Sequence, residues 1–151
     1  MDRIDARLIE ALSHNGRATF HELGQVVRMS ANTVADRVRR LQREGVIAGF
    51  TAVLDEKALG KTLGVLSDIE LREGVERVAF AESLTQVPQV IGALRLTGRY
   101  DYQLHIVCAD TAELESVIEL LKRDYGVASV NSRLILREVP ADKTKLLSDR
   151  F

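Results

Sequence analysis

Cys108 is the only cysteine in 151 residues, and tryptophan is absent altogether. A lone thiol cannot close an intramolecular disulfide or supply the paired thiolates of a zinc finger, which fits a reducing cytoplasm. Three histidines, His14, His21 and His105, share no metal-ligand spacing. Only two prolines occur, and no low-complexity stretch or internal repeat is present. The opening MDRIDARLIE carries charges where a signal peptide needs an apolar run. No apolar stretch approaches the ~20 residues of a membrane span. The expectation is a cytoplasmic protein with no metal, no disulfide and no membrane partner.

Apolar residues make up 46% of the chain and charged residues 28%, ordinary for one mid-sized globular domain or two small ones. The net charge of −1 excludes a uniformly basic binder of polyanions. Its distribution is uneven. Residues 1–50 hold eight arginines against six acidic residues, whereas residues 51–151 hold thirteen basic and sixteen acidic residues. Between residues 28 and 43, Arg28, Arg37, Arg39, Arg40 and Arg43 face a single acid, Asp36. A basic element on a near-neutral protein is the electrostatic footprint of a small DNA reader. On charge alone a solvated helix face, with pairs such as Asp36 and Arg40, reads the same way.

Periodicity adds a context for these arginines. Ile4, Leu8, Ala11 and Leu12 form one apolar stripe of a first helix, with Asp2 and Asp5 at its start and Asn15-Gly16 as its stop. Thr19 and Glu22 have capping-box spacing ahead of a second helix that runs through Leu23, Val26 and Val27. Arg28-Met29-Ser30 then leads to a third helix capped by Ser30. So short a connection predicts a helix-turn-helix. Val34, Val38 and Leu41 form the buried face of the third helix; Asn32, Asp36, Arg39 and Arg43 point away from it. Thr33 and Arg40 lie at one shoulder and Arg37 near the core edge. A short polar N-terminal part with flanking arginines suits entry into a major groove.

After Gly45, residues 46–60 alternate loosely and predict a strand-like connector. Strands and helices then succeed one another. A strand over 64–71 sets Val65, Ile69 and Leu71 against Asp68 and Glu70. A helix follows over 75–87 with Phe80, Leu84 and Val87, ended by Pro88. Strands are predicted over 90–97 and 102–108. A second helix over 111–126 is capped by Thr111, and a last strand covers 129–139. The order β-α-β-β-α-β is the ferredoxin-like split unit. Its single sheet leaves one face open, and Ile91, Ala93, Val107 and Ile135 are the apolar positions expected there, to be covered by self-association. Cys108 is expected inside a strand, buried.

The stretches IDARLIEALSHNGRATFHELGQVVRMSANTVADRVRRLQREGVIAGFTAVLD, LTGRYDYQL and GVASVNSRLIL, in register across nearly the whole chain, resemble the Lrp/AsnC (leucine-responsive, feast/famine) transcription regulators. The fold class implied is α+β: a winged-type helix-turn-helix DNA-binding domain over 1–45, a connector over 46–60, a ferredoxin-like effector-binding and oligomerising domain over 61–140, and a tail over 141–151. The resemblance further implies a dimer that often builds octamers, a roughly palindromic double-stranded DNA operator, and an amino acid or related metabolite as effector between subunits. No other cofactor is implied.

Carried over by position, Ser30, Asn32, Thr33, Arg37 and Arg40 match the family's recognition helix. With the outward-facing Asp36, Arg39 and Arg43 they are the expected DNA-binding set. Gly98, Tyr100 and Asp101 match its effector loop, and Ser132 falls where a threonine usually faces that pocket. Gly98 would let backbone approach a ligand, and Asp101 could accept from an α-ammonium. Arg99 stands where an acidic residue is common and reverses a charge beside the implied pocket. Two other readings remain: an architectural DNA-packaging oligomer with little ligand response, and a small ferredoxin-like enzyme, for which no nucleophile-base pair is present.

Overall fold

The computed structural model describes the backbone of residues 1–150 and the side chains of residues 1–147. The chain forms two compact units, Met1–Val53 with the segment from Pro140 onward, and Leu54–Val139.

In the first unit, α1 (Arg3–His14), α2 (Phe20–Val27) and α3 (Ala31–Arg43) start where short polar side chains can cap them. Asp2 with Asp5, and Thr19 with Glu22, form capping boxes, each side chain accepting the other residue's backbone N–H. Ser30 Oγ accepts the Thr33 N–H at 3.2 Å. Leu8, Leu23, Val27, Val34 and Val38 make the core. Val26, expected on the stripe of α2, is exposed instead. A Cβ on Gly24 would stand 2.5 Å from the Met29 carbonyl oxygen, so this position admits only glycine where α2 turns into α3.

No strand occurs in residues 44–62: the connector is extended or turned, without ladder partners, and no β-wing follows α3. A strand needs a neighbour for its N–H and C=O groups, and alternation alone does not provide one. The tail forms a 3-10 segment, Lys143–Arg150, that lies against α1. Phe151, the end of the expected tail, lies outside the described residues.

The second unit runs β1 (Leu63–Leu71), α4 (Arg77–Ser83), a 3-10 turn (Leu84–Gln86), β2 (Val90–Arg95), β3 (Tyr102–Cys108), α5 (Thr111–Asp124) and β4 (Val127–Leu134). The sheet order is β2-β3-β1-β4, antiparallel throughout. Val65, Ile69, Tyr102, Leu104, Ile106 and Cys108 share one face, and Phe80, Leu84, Val117 and Leu121 of the helical segments cover it. The Phe80 and Tyr102 rings meet at 5.1 Å between centroids.

Several sequence expectations shift here. The first helix of this unit is shorter than 75–87, capped by Glu76, and its last turn tightens to 3-10. Asp110, not Thr111, caps α5, because its carboxylate reaches the Glu113 N–H. The last strand covers 127–134 rather than 129–139. A bulge between Val90 and Gly92 breaks the alternation of β2. Ala93 therefore sits opposite Leu104, on the helix-covered side, and Leu94 opposite Gln103 takes the uncovered side.

Candidate nucleic-acid interface and effector loop

The arginines of α3 divide into two pairs with different employment. Arg37 Nη1 donates to Asp2 Oδ2 at 2.7 Å and to Asp5 Oδ1 at 2.8 Å, and Arg40 Nη2 donates to Asp5 Oδ2 at 2.7 Å. Asp5 is fully buried and also accepts the Asp2 backbone N–H. One carboxylate thus ties the start of α1 to the middle of α3. Arg37 and Arg40, both expected on the DNA face, are here tied to α1, with 20% and 41% of their side chains still accessible. Arg40 Nε is buried without a hydrogen bond, with Glu44 Oε1 at 3.8 Å. Arg39 and Arg43 are exposed. Arg39 meets Asp36 at 3.1 Å, a pair with side chains 63% and 77% accessible that water screens heavily.

Asn32, Thr33 and Asp36 lie exposed along the same side of α3. Ser30 and Thr33 share a hydrogen bond of 2.8 Å between their hydroxyls, so both take part in the cap. An exposed strip thus runs from Asn32 through Asp36 to Arg39 and Arg43.

Asp5 was missed as a site-shaping residue. It falls seven residues before Leu12 on the apolar stripe of α1. A carboxylate in line with leucines must find cations, and that was the available signal.

The Leu96–Asp101 loop joins β2 to β3. Leu96 N–H donates to the Asp101 carbonyl, and Asp101 N–H donates to the Ile69 carbonyl. Gly98, at φ +103°, occupies a backbone region that L side chains rarely adopt. The Arg99 guanidinium lies 5.2 Å from the centroid of the Tyr100 ring. Asp101, expected to be free for an ammonium group, is already engaged. Its Oδ2 accepts the Leu71 N–H at 2.9 Å, and its Oδ1 meets Arg77 Nε at 3.1 Å and Nη2 at 3.0 Å. The Leu71 N–H and then Arg77 hold its carboxyl below the usual carboxylate range. Arg77, which sequence reasoning did not single out, is also tied to β3, since its carbonyl accepts from the Tyr102 hydroxyl. Ser132 hydrogen-bonds Ser67 at 2.7 Å between the hydroxyls. It lies on β4, separated from the loop's strand β3 by β1.

The uncovered sheet face has its own polar centre. Asp68 accepts from Gln103 at 2.8 Å and from Arg133 at 2.7 Å, beside Leu66 and the buried Val107. Among the described residues no group of His, Cys, Asp and Glu could hold a metal ion, and no helix is long and apolar enough to cross a membrane.

Comparison with known proteins gives both units a context. Residues 1–42 match the AsnC-type helix-turn-helix domain, and residues 65–144 match the Lrp/AsnC ligand binding domain. The Bkd operon transcriptional regulator of Pseudomonas aeruginosa is 34% identical over 142 residues, covering 92% of this chain and 93% of that protein. A Neisseria meningitidis transcriptional regulator, solved as a complex with L-Met, superposes with a TM-score of 0.85 at 26% identity, covering 95% of each chain. Escherichia coli AsnC shares the fold, with a TM-score of 0.85 at 23% identity over 95% of this chain and 98% of that one. With a helix-turn-helix whose third helix presents an arginine-flanked polar strip, followed in sequence by a βαββαβ sheet unit, the chain belongs to the Lrp/AsnC family of helix-turn-helix transcriptional regulators.

Proposed function

We propose that the protein is a sequence-specific regulator that reads a roughly palindromic operator as a symmetric oligomer and adjusts its grip on DNA to a small carboxylate-bearing metabolite. The observation that carries the DNA reading is the division of labour on α3. Arg37 and Arg40 fix the helix through buried Asp5, which leaves Asn32, Thr33, Asp36, Arg39 and Arg43 outward as the reading surface. Arg39 and Arg43 hold phosphates, while Asn32, Thr33 and Asp36 meet base edges, Asp36 as an acceptor for a cytosine amino group. Such a protein works in the cytoplasm, where the chromosome is.

Self-association follows from the sheet. The helices of the second unit cover one face, and the other carries Leu66, Val107 and the exposed Leu94 beside Asp68. A second copy is the partner that removes this surface from water. An octamer of four such dimers is the larger assembly we infer from the family.

The effector reading rests on the loop. With Asp101 engaged by Leu71 and Arg77, the exposed charge on the loop is Arg99, which lies against the Tyr100 ring and is a receiver of carboxylates rather than ammonium groups. A related structure holding L-Met supports amino acids as candidates. We place the effector between subunits, with Gly98, Tyr100 and Ser132 lining the site.

The test is binding of the purified protein to the DNA upstream of its own reading frame across a salt series, with and without a panel of amino acids and their 2-oxo acids. Tight, salt-dependent binding altered by one compound supports the regulator. Equal affinity for specific and random duplexes, unmoved by the whole panel, turns the reading to DNA packaging.

A further inference from the structure

Arg28 is the only non-glycine among the described residues with a positive φ, at 59° with ψ at 49°. The turn demands this conformation. Met29 N–H returns to the Gly24 carbonyl at 2.9 Å, and the Arg28 N–H bonds that same oxygen, closing α2 in the way that usually recruits glycine. An arginine Cβ is disfavoured there. Glycine would relieve the strain, and Asn would tolerate it better than arginine does.

Among the described residues nothing compensates. Arg28 is exposed, and among the described residues no hydrogen bond, ion pair or ring contact engages its side chain. It does not pack in the core formed by its neighbours Val27 and Met29. A strained residue whose side chain has no partner among the described residues points to something outside the chain.

Its position says what. Arg28 sits in the turn between α2 and α3, two residues before the cap of the helix whose outward strip carries Arg39 and Arg43. In a helix-turn-helix the recognition helix enters the major groove by its first turns while the helix before it crosses the phosphate backbone. Arg28 stands where the two meet. We propose that Arg28 contacts a DNA phosphate, extending the line of positive charge from α3 back into the turn, and that the left-handed backbone aims its guanidinium there. This rests on the DNA reading above and adds a contact that the helix alone does not provide.

The experiment pairs stability with affinity in three variants of the full chain: Arg28→Gly, Arg28→Asn and Arg28→Lys. The probes are the protein's own upstream duplex and a random-sequence duplex of equal length, each titrated across a salt series. Arg28→Gly is expected to raise the thermal midpoint of the helical unit by about 2–4 °C. The same variant should weaken binding to both duplexes by about tenfold. The slope of log affinity against log salt should fall by about 0.9 for each subunit engaged. Arg28→Asn should follow it in affinity and slope, while Arg28→Lys keeps the wild-type slope. Unchanged affinity and slope in Arg28→Gly, with wild type binding normally, would overturn the phosphate contact and leave the DNA reading standing. A Lys variant whose slope matches the Gly variant would also overturn it. Wild type that binds neither duplex at any salt would overturn the DNA reading itself.

Discussion

Asp5 and Arg40, 35 residues apart in sequence, meet at 2.7 Å between Oδ2 and Nη2, with the carboxylate wholly removed from water. Arg37 grips the other oxygen of the same group at 2.8 Å. The recognition helix is therefore set on α1 by a forked ion pair, and its outward face is defined by which arginines this pair consumes.

Asp5→Asn should destabilise the helical unit by about 2–3 kcal/mol, since it removes the buried charge that Arg37 and Arg40 share and leaves Arg37 with Asp2 and Arg40 with the more distant Glu44. The figure sits below that of a fully buried pair because Arg37 and Arg40 retain 20% and 41% side-chain accessibility. Urea unfolding followed by helical circular dichroism measures it. A loss under 0.5 kcal/mol would mean that the fork contributes little.

Arg39→Ala and Arg43→Ala should leave stability within about 0.5 kcal/mol of wild type, as exposed substitutions do. Each should weaken binding to every DNA sequence and lower the salt slope by about 0.9 per contact. Arg37→Ala should show the reverse pattern: a clear loss of stability and, where the protein remains folded, an unchanged slope. The two kinds of arginine are thereby told apart by unfolding and salt titration on the same preparations.

Asp2 has its pKa lowered from 3.8 to about 2, first by the Asp5 N–H and then by Arg37; Lys61, followed by the Ala109 N–H, takes Glu113 from 4.5 to about 2. Both folded-state values lie below the unfolded ones, so each group's contribution is complete above the unfolded pKa and fades as pH falls toward 2. The thermal midpoint should hold steady from neutral pH to about 5 and decline below about 4. Asp2→Asn should flatten that decline for the helical unit and Glu113→Gln for the sheet unit. A decline unchanged in both variants would assign acid sensitivity to other carboxylates.

Asp101→Asn should loosen the loop by weakening its hold on Arg77 and on the Leu71 N–H, lowering sheet-unit stability by about 1–2 kcal/mol. Arg99→Ala, at an exposed tip, should leave stability unchanged while reducing the response of DNA binding to the effector. Calorimetry with the most active compound of the panel reads both effects. An effector that binds Arg99→Ala with wild-type affinity would remove the arginine from the site.

Much of the fold is legible because its signals are local. Thr19 and Glu22, or Ser30 and Thr33, announce a helix start within three residues, and Val34, Val38 and Leu41 give a face within two turns. The order βαββαβ follows from periods of two and 3.6 in the same way. Errors fall where a local pattern has a non-local alternative. The alternation of residues 46–60 lacks a strand to pair with, and the bulge after Val90 reverses the faces of Ala93 and Leu94 without any mark in the composition.

By itself the sequence determined the helices, the caps of α2 and α3, the succession of strands and helices along the chain and the arginine-rich character of α3, because these depend on neighbours within a few positions along the chain. Only the tertiary structure decided which arginines remain outward and whether Asp101 is free. Arg37 and Arg40 differ from Arg39 and Arg43 by a partner 32 to 35 residues away, and Asp101 finds Leu71 and Arg77 across 30 and 24 residues. An ion pair or a hydrogen bond is fixed by distance in space, and burial of Asp5 obliges its cations to come to it. Packing of the helices and strands sets those distances; order along the chain does not.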